Sequence, residues 1–477
     1  MADLETFLQE RFSFDSFHKG QKETIEALLA QKNVLTILPT GAGKSLCYQF
    51  PSYYKNDGHT VIISPLISLM EDQVSLLRKN GEKSVVAINS LLSGRSKKYL
   101  LKNLQKFRFI FISPESLSQE ETLKYFKDLK ISLLVVDEAH CISHWGHDFR
   151  PNYLELKHIR QQLGRPLTLA LTATATDEVK QDIISELFDG ESFEEISESV
   201  NRSNIFFEVI KVEDKLTYLL TFLEDKHVPG IIYFSSKNEA DKVAEELNQH
   251  LPYAVQSYHG DMSSDDRIRI QEQFIRDDIR VLCATSAFGM GINKSNIRFV
   301  IHYHMPDSLE NYVQESGRAG RDGLQSLSII LYKKGDEQIH FFLQDQTFEE
   351  KKALLFLENK TEKEIELLKN SMTDIQKKWY EHIKKNNVGW QNYKLTSEKK
   401  KRLNQLKIYD MIQLCESQEC RREMIQKYFN EDNMLNQSDC CDNCGHNEPD
   451  ISMIGKVEKS ELNDLNPQKK LEKMFFS

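Results

Sequence analysis

Residues 38–45, with the sequence LPTGAGKS, have the residue types and spacing of a loop that binds phosphate. They follow an apolar, β-branched run and precede residues that can open a helix, which is the context such a loop needs. The backbone amides of Gly41 and Gly43 can close round phosphate oxygens. Lys44 can contact the β- and γ-phosphates, and the Ser45 hydroxyl suits Mg²⁺. The first residue is leucine where the usual pattern has glycine. The sequence predicts an ATP-binding loop made of Thr40, Gly41, Ala42, Gly43, Lys44 and Ser45.

A pair of acids, Asp137 and Glu138, directly follows the apolar run 133–136. A carboxylate at the end of a buried strand is poorly solvated unless it meets a cation, so Asp137 suits Mg²⁺. Glu138 can orient or deprotonate an attacking water. An acidic turn that caps a helix would explain one acid, but not the pairing with an upstream phosphate-binding loop. The two motifs together predict hydrolysis of ATP.

Further catalytic candidates are Gln314, Arg318 and Arg321, in the sequence QESGRAGRDG. Two arginines three residues apart on one face of a short helix can reach a γ-phosphate and stabilise the charge of the transition state. Surface arginines are usually only solvated, but the glycines that frame this pair favour the functional interpretation.

A polar loop at 141–151 contains several side chains that can bind nucleic acid. Trp145, His147, Phe149 and Arg150 can stack on bases or hold phosphate. An isolated tryptophan is more often core filler, but this loop is bounded by glycine and proline and follows the hydrolytic acids.

An adenine contact is predicted upstream of the phosphate-binding loop. The two-faced amide of Gln21 can pair with the edge of the base while Phe14 or Phe17 stacks on its ring. Alternatively, these aromatic side chains form a staple that packs the first helix.

Composition bounds the class of protein. A chain of 477 residues is too long for one core, and 40% hydrophobic with 28% charged residues is ordinary for a globular protein. Because no apolar run approaches membrane-spanning length and the N-terminus is acidic, we expect no membrane association and a cytoplasmic protein, nucleoid-associated if bacterial. The net charge of −10 gives no global basic field for nucleic acid, although residues 371–430 are locally basic.

Because the protein is expected to stay in a reducing compartment, its eight cysteines are expected to be thiols or metal ligands rather than disulfides. Cys420, Cys440, Cys441 and Cys444 suit a tetrahedral structural Zn²⁺. Since Cys440 and Cys441 are adjacent, either both bind in a strained loop, or one is spare and Cys415 or a water substitutes.

The basic run 399–402 lies in a helical stretch with Trp379, Trp390 and Tyr393. It forms either a solvated face or a contact with phosphates, and the sequence favours neither.

Strand candidates alternate with helical patterns in two successive stretches, which predicts an α/β fold with two doubly wound parallel sheets. In such sheets, sites form at the carboxyl ends of strands. The candidates are 34–38, 60–64, 85–88, 109–112, 133–136 and 167–171, then 230–234, 254–258, 280–284, 299–303 and 327–332. Residues 201–214 are interpreted as the crossing between the two units.

Taken in order, the motifs closely resemble the RecQ-type DNA helicases of superfamily 2 across residues 10–335. They are FHKGQ, TGAGKS, SPLISLMEDQ, DEAHCISHWGHDFRP, LTATAT, ATSAFGMGINK and QESGRAGRDG. This resemblance implies two RecA-like lobes with ATP in the cleft between them, and unwinding of DNA with 3′-to-5′ polarity. His18 stands where the family usually has arginine, so nucleotide affinity or its pH response is expected to differ.

Carried over residue by residue, the resemblance gives each candidate a role. It implies an adenine reader (Gln21), a stacking ring (Phe14), phosphate and Mg²⁺ ligands (Lys44, Ser45), a metal acid and a catalytic base (Asp137, Glu138), a loop that couples DNA to hydrolysis (Trp145, His147, Phe149, Arg150) and the arginine finger motif (Arg318, Arg321).

The C-terminal third resembles the family's zinc-binding subdomain, in which a CRR helix start is closed by three later cysteines. Two RecA-like domains are predicted, at residues 1–200 and 201–345. A helical zinc-binding subdomain follows at 346–447, and a C-terminal tail at 448–477. Only 33 residues follow Cys444, so the resemblance is to a short form without the winged-helix and extra helical domains.

The predicted activity is that of an ATP-dependent 3′-to-5′ DNA helicase in repair or recombination, acting as a monomer on single-stranded and 3′-tailed duplex DNA. Single-strand-binding or recombination proteins are expected as partners of the tail. A translocase or remodeller that unwinds poorly is the first alternative, and a non-catalytic scaffold is the second. RNA also stays open as the main substrate, because such a motor grips backbone rather than bases.

Overall fold

The computed structural model describes residues 3–89, 91–143, 151–289, 294–385, 389–431, 440–445 and 448–451. The chain divides into two compact units. The first unit comprises Met1–Asn201, Phe341–Leu406 and Gln426–Asp432, and the second comprises Arg202–His340, Lys407–Ile425 and Asn433–Ser477.

The described residues form thirteen strands and eighteen α-helices. The strands are β1 (Asn33–Ile37), β2 (His59–Ile63), β3 (Val85–Ile88), β4 (Phe109–Ile112), β5 (Ile131–Val136), β6 (Thr168–Thr172), β7 (Phe193–Ser197), β8 (Ile205–Lys211), β9 (Gly230–Tyr233), β10 (Val255–Tyr258), β11 (Val281–Ala284), β12 (Phe299–His302) and β13 (Ser326–Tyr332). The helices are α1 (Leu4–Phe12), α2 (Gln21–Leu29), α3 (Leu46–Lys55), α4 (Ile67–Lys79), α5 (Gly94–Leu101), α6 (Pro114–Leu117), α7 (Glu120–Lys127), α8 (Leu156–Gln162), α9 (Asp177–Leu187), α10 (Lys215–Glu224), α11 (Lys237–His250), α12 (Ser264–Ile275), α13 (Leu309–Ser316), α14 (Gln338–Lys352), α15 (Glu362–Leu368), α16 (Asp374–Lys385), α17 (Trp390–Glu416) and α18 (Arg421–Tyr428).

The first unit is organised around a parallel sheet of order β3-β4-β2-β5-β6-β1-β7. Alternate residues of a strand point to opposite faces, and both faces of this sheet are covered. In β1, Leu35 and Ile37 belong to one hydrophobic cluster, whereas Val34 belongs to the cluster on the other face. Burial on both faces explains why these strands are nearly continuous runs of valine, isoleucine and leucine.

The second unit contains a parallel sheet of order β10-β11-β9-β12-β13-β8. Side chains of its strands also pack into two hydrophobic clusters, one on each face of the sheet. Ile232 of β9 lies in one cluster, and Ile231 and Tyr233 lie in the other. With helices between most successive parallel strands, the two units confirm the predicted α/β fold class.

The eleven predicted strands all occur, with ends that differ by at most two residues. Two further strands were missed. β7 is an edge strand whose residues are mostly half-exposed, so it lacks the apolar run that marks its neighbours. β8 lies in the stretch 201–214, which was interpreted as a crossing between units. The chain does pass from the first unit to the second at Asn201–Arg202. The strand was missed, because Ile205–Lys211 pairs along its whole length with β13.

The helical part of the first unit has its own small core. It contains Trp379, Tyr393 and the partly buried Trp390, together with Leu354, Leu357, Ile365, Tyr380 and Ile383. The aromatic side chains near the basic run are therefore packing residues. Within that run, Lys400 Nζ donates to the carbonyl of Ser143 at 3.2 Å, and Lys401 Nζ lies 2.7 Å from Asp345.

Among the residues that the structure describes, there is no helix with the length and apolar character needed to span a bilayer.

Candidate ATP and zinc sites

The predicted phosphate-binding loop connects β1 to α3 in the first unit. Gly41 and Gly43 have φ angles of +93° and +65°, which side-chain-bearing residues rarely adopt. A Cβ on Gly43 would also lie 2.7 Å from the amide nitrogen of Gln21, so only glycine fits there. Lys44 Nζ is 3.5 Å from the carbonyl oxygen of Leu38, the leucine at the departure from the usual pattern. The loop thus brings a lysine and a helix start together at the carboxyl end of β1.

The acids Asp137 and Glu138 follow β5, which is separated from β1 in the sheet only by β6. Burial, reinforced by the negative charge of Glu138 and opposed by the positive charge of Lys44, raises the pKa of Asp137 to about 7. A carboxyl group with such a pKa gains from a cation that would compensate its charge. The hydroxyl of Ser45 and the carboxyl group of Asp137 offer the oxygen ligands that Mg²⁺ prefers, so the residues present fit this ion.

Glu138 has an unusual environment for a carboxylate. Its φ is +49°, a strained conformation for a residue other than glycine, and such strain is concentrated at functional sites. Its Oε2 atom is buried without a hydrogen-bond partner among the described residues, and His140 Nδ1 lies 3.5 Å away. An acceptor that is buried and unsatisfied is available to a water molecule.

Thr172, at the end of β6, contacts His140 in the segment that follows Asp137 and Glu138. The side chains of His140 and Thr172 are 2.9 Å apart, and the Thr172 hydroxyl donates to the carbonyl of Thr174 at 3.0 Å. The Thr172 hydroxyl at the end of β6 therefore connects His140 to the sheet.

The predicted adenine contact is positioned by packing and by the phosphate-binding loop. Gln21 is 2% exposed; its amide nitrogen donates to the carbonyls of Ala42 and Gly43 at 2.8 and 3.1 Å, and its oxygen accepts from the backbone of His18 at 2.8 Å. Phe17 packs edge-on against Phe50, with ring centroids 5.4 Å apart, as the staple interpretation predicts for it. Phe14 is 53% exposed, so of the two rings it is the one accessible to a base.

In the second unit, Gln314 lies on α13, but Arg318 and Arg321 do not. The expectation that the arginines share a helical face was wrong, because α13 ends at Ser316 and Gly317 forms its C-cap. Gly317 and Gly320, which flank Arg318, disfavour helix and leave the arginines in the following turns. Arg318 is 4% exposed, and its Nε atom has no hydrogen-bond partner among the described residues.

A third arginine, Arg202, completes this positively charged cluster. It donates to the carbonyls of Gly317, Ala319 and Gly320, so it holds the turn that carries the other two. Burial, together with the positive charges of Arg318 and Arg202, lowers the pKa of Arg321 to about 9. Buried cations that repel each other favour an anion such as phosphate.

Also in the second unit, the sulfur atoms of Cys420, Cys440, Cys441 and Cys444 all lie within 4.8 Å of one another. Sγ–Sγ distances are 3.5 Å between Cys420 and Cys440, 3.9 Å between Cys420 and Cys441, and 3.4 Å between Cys441 and Cys444. Tetrahedral zinc thiolates, with Zn–S bonds of about 2.3 Å, place sulfurs roughly 3.8 Å apart. The four cysteines therefore fit Zn²⁺, and both adjacent cysteines take part.

The alternative that Cys415 replaces one of them was wrong. Cys415 lies outside this group and is fully buried, and burial raises the pKa of its thiol to about 12. All eight cysteines are free of disulfides, as predicted.

Residues 440–444, called the zinc loop below, are attached to the sheet of the second unit through β8. Phe207 forms a bridge with Cys441, and Asp442 accepts a hydrogen bond from the backbone of Val209 at 3.2 Å. Both carboxylate oxygens of Asp442 also accept from Arg421, one from Nε at 2.8 Å and the other from Nη2 at 2.9 Å. Arg422 donates to Cys440 Sγ at 3.3 Å, so the CRR segment binds the loop as well as opening α18.

The predicted DNA contacts Trp145, His147, Phe149 and Arg150 lie outside the described residues. Sequence reasoning missed Arg202 and Tyr233, both close to the predicted arginines. Arg202 carried no motif, and Tyr233 ends an apolar run that predicts only a buried strand.

Comparison with known families defines the class of protein. Residues 18–182 match the DEAD/DEAH box helicase family, residues 212–323 match the helicase conserved C-terminal domain, and residues 374–445 match the RecQ zinc-binding family. These three matches identify the class as a helicase motor with a zinc-binding region.

Individual relatives narrow the family. The chain is 38% identical over 488 residues to the probable ATP-dependent DNA helicase RecS of Bacillus subtilis (strain 168), covering 98% of this chain and 96% of RecS. It is 35% identical over 447 residues to the ATP-dependent DNA helicase RecQ of the same organism, covering 93% of this chain and 66% of that RecQ. The chain belongs to the RecQ family of DNA helicases.

A solved structure agrees on the fold. The helicase Lhr of Mycobacterium smegmatis, bound to ssDNA and AMP-PNP, has a TM-score of 0.58 at 16% identity, covering 72% of this chain and 50% of Lhr. At this level of identity the likeness shows the fold alone.

Proposed function

We propose that this chain hydrolyses ATP to move along single-stranded DNA with 3′-to-5′ polarity and to unwind duplex DNA that carries a 3′ tail. The observation that carries the proposal is the buried acid pair beside the phosphate-binding loop, with the pKa of Asp137 raised to about 7. The relatives RecS and RecQ, both described as ATP-dependent DNA helicases, support DNA as the substrate.

In this proposal the first unit binds the nucleotide. Gln21 and Phe14 hold the adenine, the loop at Thr40–Ser45 encloses the phosphates, and Lys44 contacts their oxygens. Ser45 and Asp137 hold Mg²⁺, which would neutralise charge on the β- and γ-phosphates. Glu138 accepts a proton from the attacking water, which its unsatisfied buried oxygen can orient.

The second unit supplies positive charge to the transition state. Arg318 and Arg321 compensate the negative charge that develops on the γ-phosphoryl oxygens, and Gln314 assists in the same step. The support for this role is the closeness of the three arginines, since burial and the positive charges of Arg318 and Arg202 lower the pKa of Arg321.

Several predictions from the sequence belong to the same proposal. Trp145, His147, Phe149 and Arg150 contact single-stranded DNA and couple it to hydrolysis. The domains end at residues 200, 345 and 447, and the tail binds single-strand-binding or recombination proteins. The protein acts as a monomer, in the compartment that holds the DNA, which is the cytoplasm in a bacterium.

A substrate panel with one pair of variants tests the activity. ATPase turnover is measured with and without single-stranded DNA, and unwinding is measured on 3′-tailed, 5′-tailed, forked and blunt duplexes. Glu138→Gln should lower DNA-stimulated turnover at least about 100-fold, since loss of a general base typically costs that much. Glu178→Gln, an exposed glutamate in the first turn of α9, should leave turnover unchanged. Full turnover in Glu138→Gln contradicts the proposal.

The panel also separates the helicase from the translocase. Unwinding of 3′-tailed but not 5′-tailed duplex supports the helicase. Strong stimulation of ATPase by single strands with little unwinding of any duplex supports the translocase instead. Equal stimulation by DNA and RNA would contradict DNA as the specific substrate.

A further inference from the structure

Arg318 carries one of the roles proposed above, yet few contacts among the described residues fix its guanidinium group. Its backbone amide donates to the carbonyl of Glu315 at 3.1 Å, which fixes the backbone but not the tip of the side chain. Its Nε atom is buried without a hydrogen-bond partner among the residues described. Because arginine has several rotatable bonds, a catalytic guanidinium needs a neighbour that selects one orientation.

Tyr233 lies where such a neighbour is needed. It is the last residue of β9, and in the sheet it is paired with Ala284 of β11 and His302 of β12. It is 3% exposed, so its hydroxyl must find partners inside the unit. The hydroxyl donates to the carbonyl of Phe288 at 2.7 Å.

The same turn touches Arg318. A Cβ placed on Gly289, the residue after Phe288, would lie 3.6 Å from Arg318 Nη2 and only 2.8 Å from the carbonyl of Ser286. The Ser286 carbonyl leaves no room for a Cβ at this position, and Arg318 Nη2 lies at ordinary van der Waals distance from the same point, so the guanidinium is next to the turn that Tyr233 holds. The positive charge of Arg318 also opposes the rise in the pKa of Tyr233 that burial causes, which places the guanidinium near the Tyr233 hydroxyl.

A phenol suits both contacts at once. Its single proton is used in the bond to the Phe288 carbonyl, and its oxygen lone pairs can then accept from a guanidinium. Donation to one partner polarises the oxygen and strengthens the bond it accepts. The ring itself is fixed by a stack on His302 (centroids 5.6 Å apart, planes at 21°), and His302 bonds Glu315 at 3.0 Å.

We propose that Tyr233 is a positioning residue for ATP hydrolysis: its hydroxyl fixes the guanidinium of Arg318 against the Phe288–Gly289 turn. The inference rests on the proposed role of Arg318 in the transition state. It adds a residue from β9, whose sequence carries no catalytic signal, to the groups on which turnover depends.

Tyr233→Phe tests this by removing one oxygen atom while keeping the ring and its stack. The matched control is Tyr253→Phe, because the Tyr253 hydroxyl donates to the carbonyl of Leu223 at 2.9 Å in the same unit but contacts no arginine of the cluster. DNA-stimulated ATPase is measured for both variants as kcat and as KM for ATP, alongside thermal unfolding. We expect kcat of Tyr233→Phe to fall about tenfold with KM changed less than about twofold, because the contact matters only in the transition state. Tyr253→Phe should keep its kcat.

A double variant distinguishes positioning from general structural damage. Arg318→Lys keeps the charge but loses the planar fork, and kcat should fall. If Tyr233 acts through Arg318, adding Tyr233→Phe to Arg318→Lys should lower kcat less than about twofold further, because the two effects are not additive. A full further tenfold loss, or an unchanged kcat in Tyr233→Phe alone, overturns the inference. An unchanged kcat in Arg318→Lys and in Arg318→Ala would instead overturn the proposed role of Arg318.

Discussion

The two sheets of this protein share one strand order, but the charge in excess near them has opposite sign. When strands are counted within each unit, both sheets follow the order 3-4-2-5-6-1, and the first adds β7 at its edge. At the carboxyl end of the first sheet, burial and Glu138 raise the pKa of Asp137, so negative charge is in excess. In the second unit, burial and neighbouring arginines lower the pKa of Arg321, so positive charge is in excess.

This difference teaches that topology sets where a site forms, while side chains decide what the site can bind. A cation would compensate the acids at the end of the first sheet, whereas an anion would compensate the arginines of the second unit. Four predictions test this comparison.

The largest effect is expected for the lysine of the first unit. Lys44→Ala should lower DNA-stimulated ATPase by more than about 100-fold, because it removes a direct contact with the phosphates. Lys55→Ala is the matched control, since Lys55 also donates to a backbone carbonyl, that of Leu29, at 2.9 Å. Normal turnover in Lys44→Ala, measured with a fold shown intact by circular dichroism, would refute the nucleotide site.

Arg321→Gln should separate binding from catalysis. We expect kcat to fall by about 100-fold while the affinity for a non-hydrolysable ATP analogue changes less than about threefold, because the arginine acts on the transition state. Arg269→Gln, on the exposed face of α12, serves as control because its side chain is 71% exposed. Equal losses of affinity and turnover would show that the second unit contributes to ground-state binding, and the contrast between the units would be weaker.

The zinc cluster tests whether the second unit depends on a metal that the first does not need. Cys444→Ser should lower bound zinc, measured by atomic absorption, and destabilise the second unit, since zinc binding contributes directly to folding. Cys415→Ala should keep full zinc content because Cys415 lies outside the cluster. Loss of zinc in the Cys415 variant would restore the alternative ligand set.

The smallest effect concerns the stability of the nucleotide-free protein. The pKa of Asp137 in the folded state, about 7, exceeds its ordinary value of 3.8. The folded state therefore binds the proton more tightly, and stability is lost as pH rises from about 4 through 7. Asp137→Asn should unfold at higher temperature than the wild type at pH 8 by an amount equivalent to about 1–2 kcal/mol, and at nearly the same temperature at pH 4.

Asp189→Asn provides the control for that measurement. The Asp189 side chain is 52% exposed and pairs with Lys157, so its loss should matter little at either pH. Adding Mg²⁺ at pH 8 should stabilise the wild type but not Asp137→Asn. A variant less stable than the wild type at pH 8 would contradict the excess of negative charge.

The sequence predicted the elements whose signals are local. Strands buried on both faces are continuous apolar runs, so eleven strands could be predicted. The phosphate-binding loop and the acid pair are recognisable from residue type and spacing, so the positions of Lys44 and Asp137 could be predicted as well. β7 escaped because its residues are mostly half-exposed. The arginines were placed on a helix because their spacing fits one, but the glycines beside them end that helix at Ser316.

Contacts between distant segments were beyond such reasoning. The hydroxyl of Tyr233 meets a carbonyl 55 residues later in the chain, and nothing in its own strand signals that partner. Similarly, adjacency of Cys440 and Cys441 left the ligand set open. The structure resolves it because Cys441 has extended backbone (φ −166°, ψ 168°) and both sulfurs reach the same cluster.

The attachment of the zinc loop to β8 has a consequence for solubility. β8 is the outermost strand of its sheet, bonded to β13 on one side, and the segment around Cys441 covers part of its other side. An uncovered strand edge is a template for pairing with another chain. A chelator should therefore cause concentration-dependent aggregation as well as unfolding, so light scattering at several protein concentrations would rise before ATPase activity in dilute solution is lost.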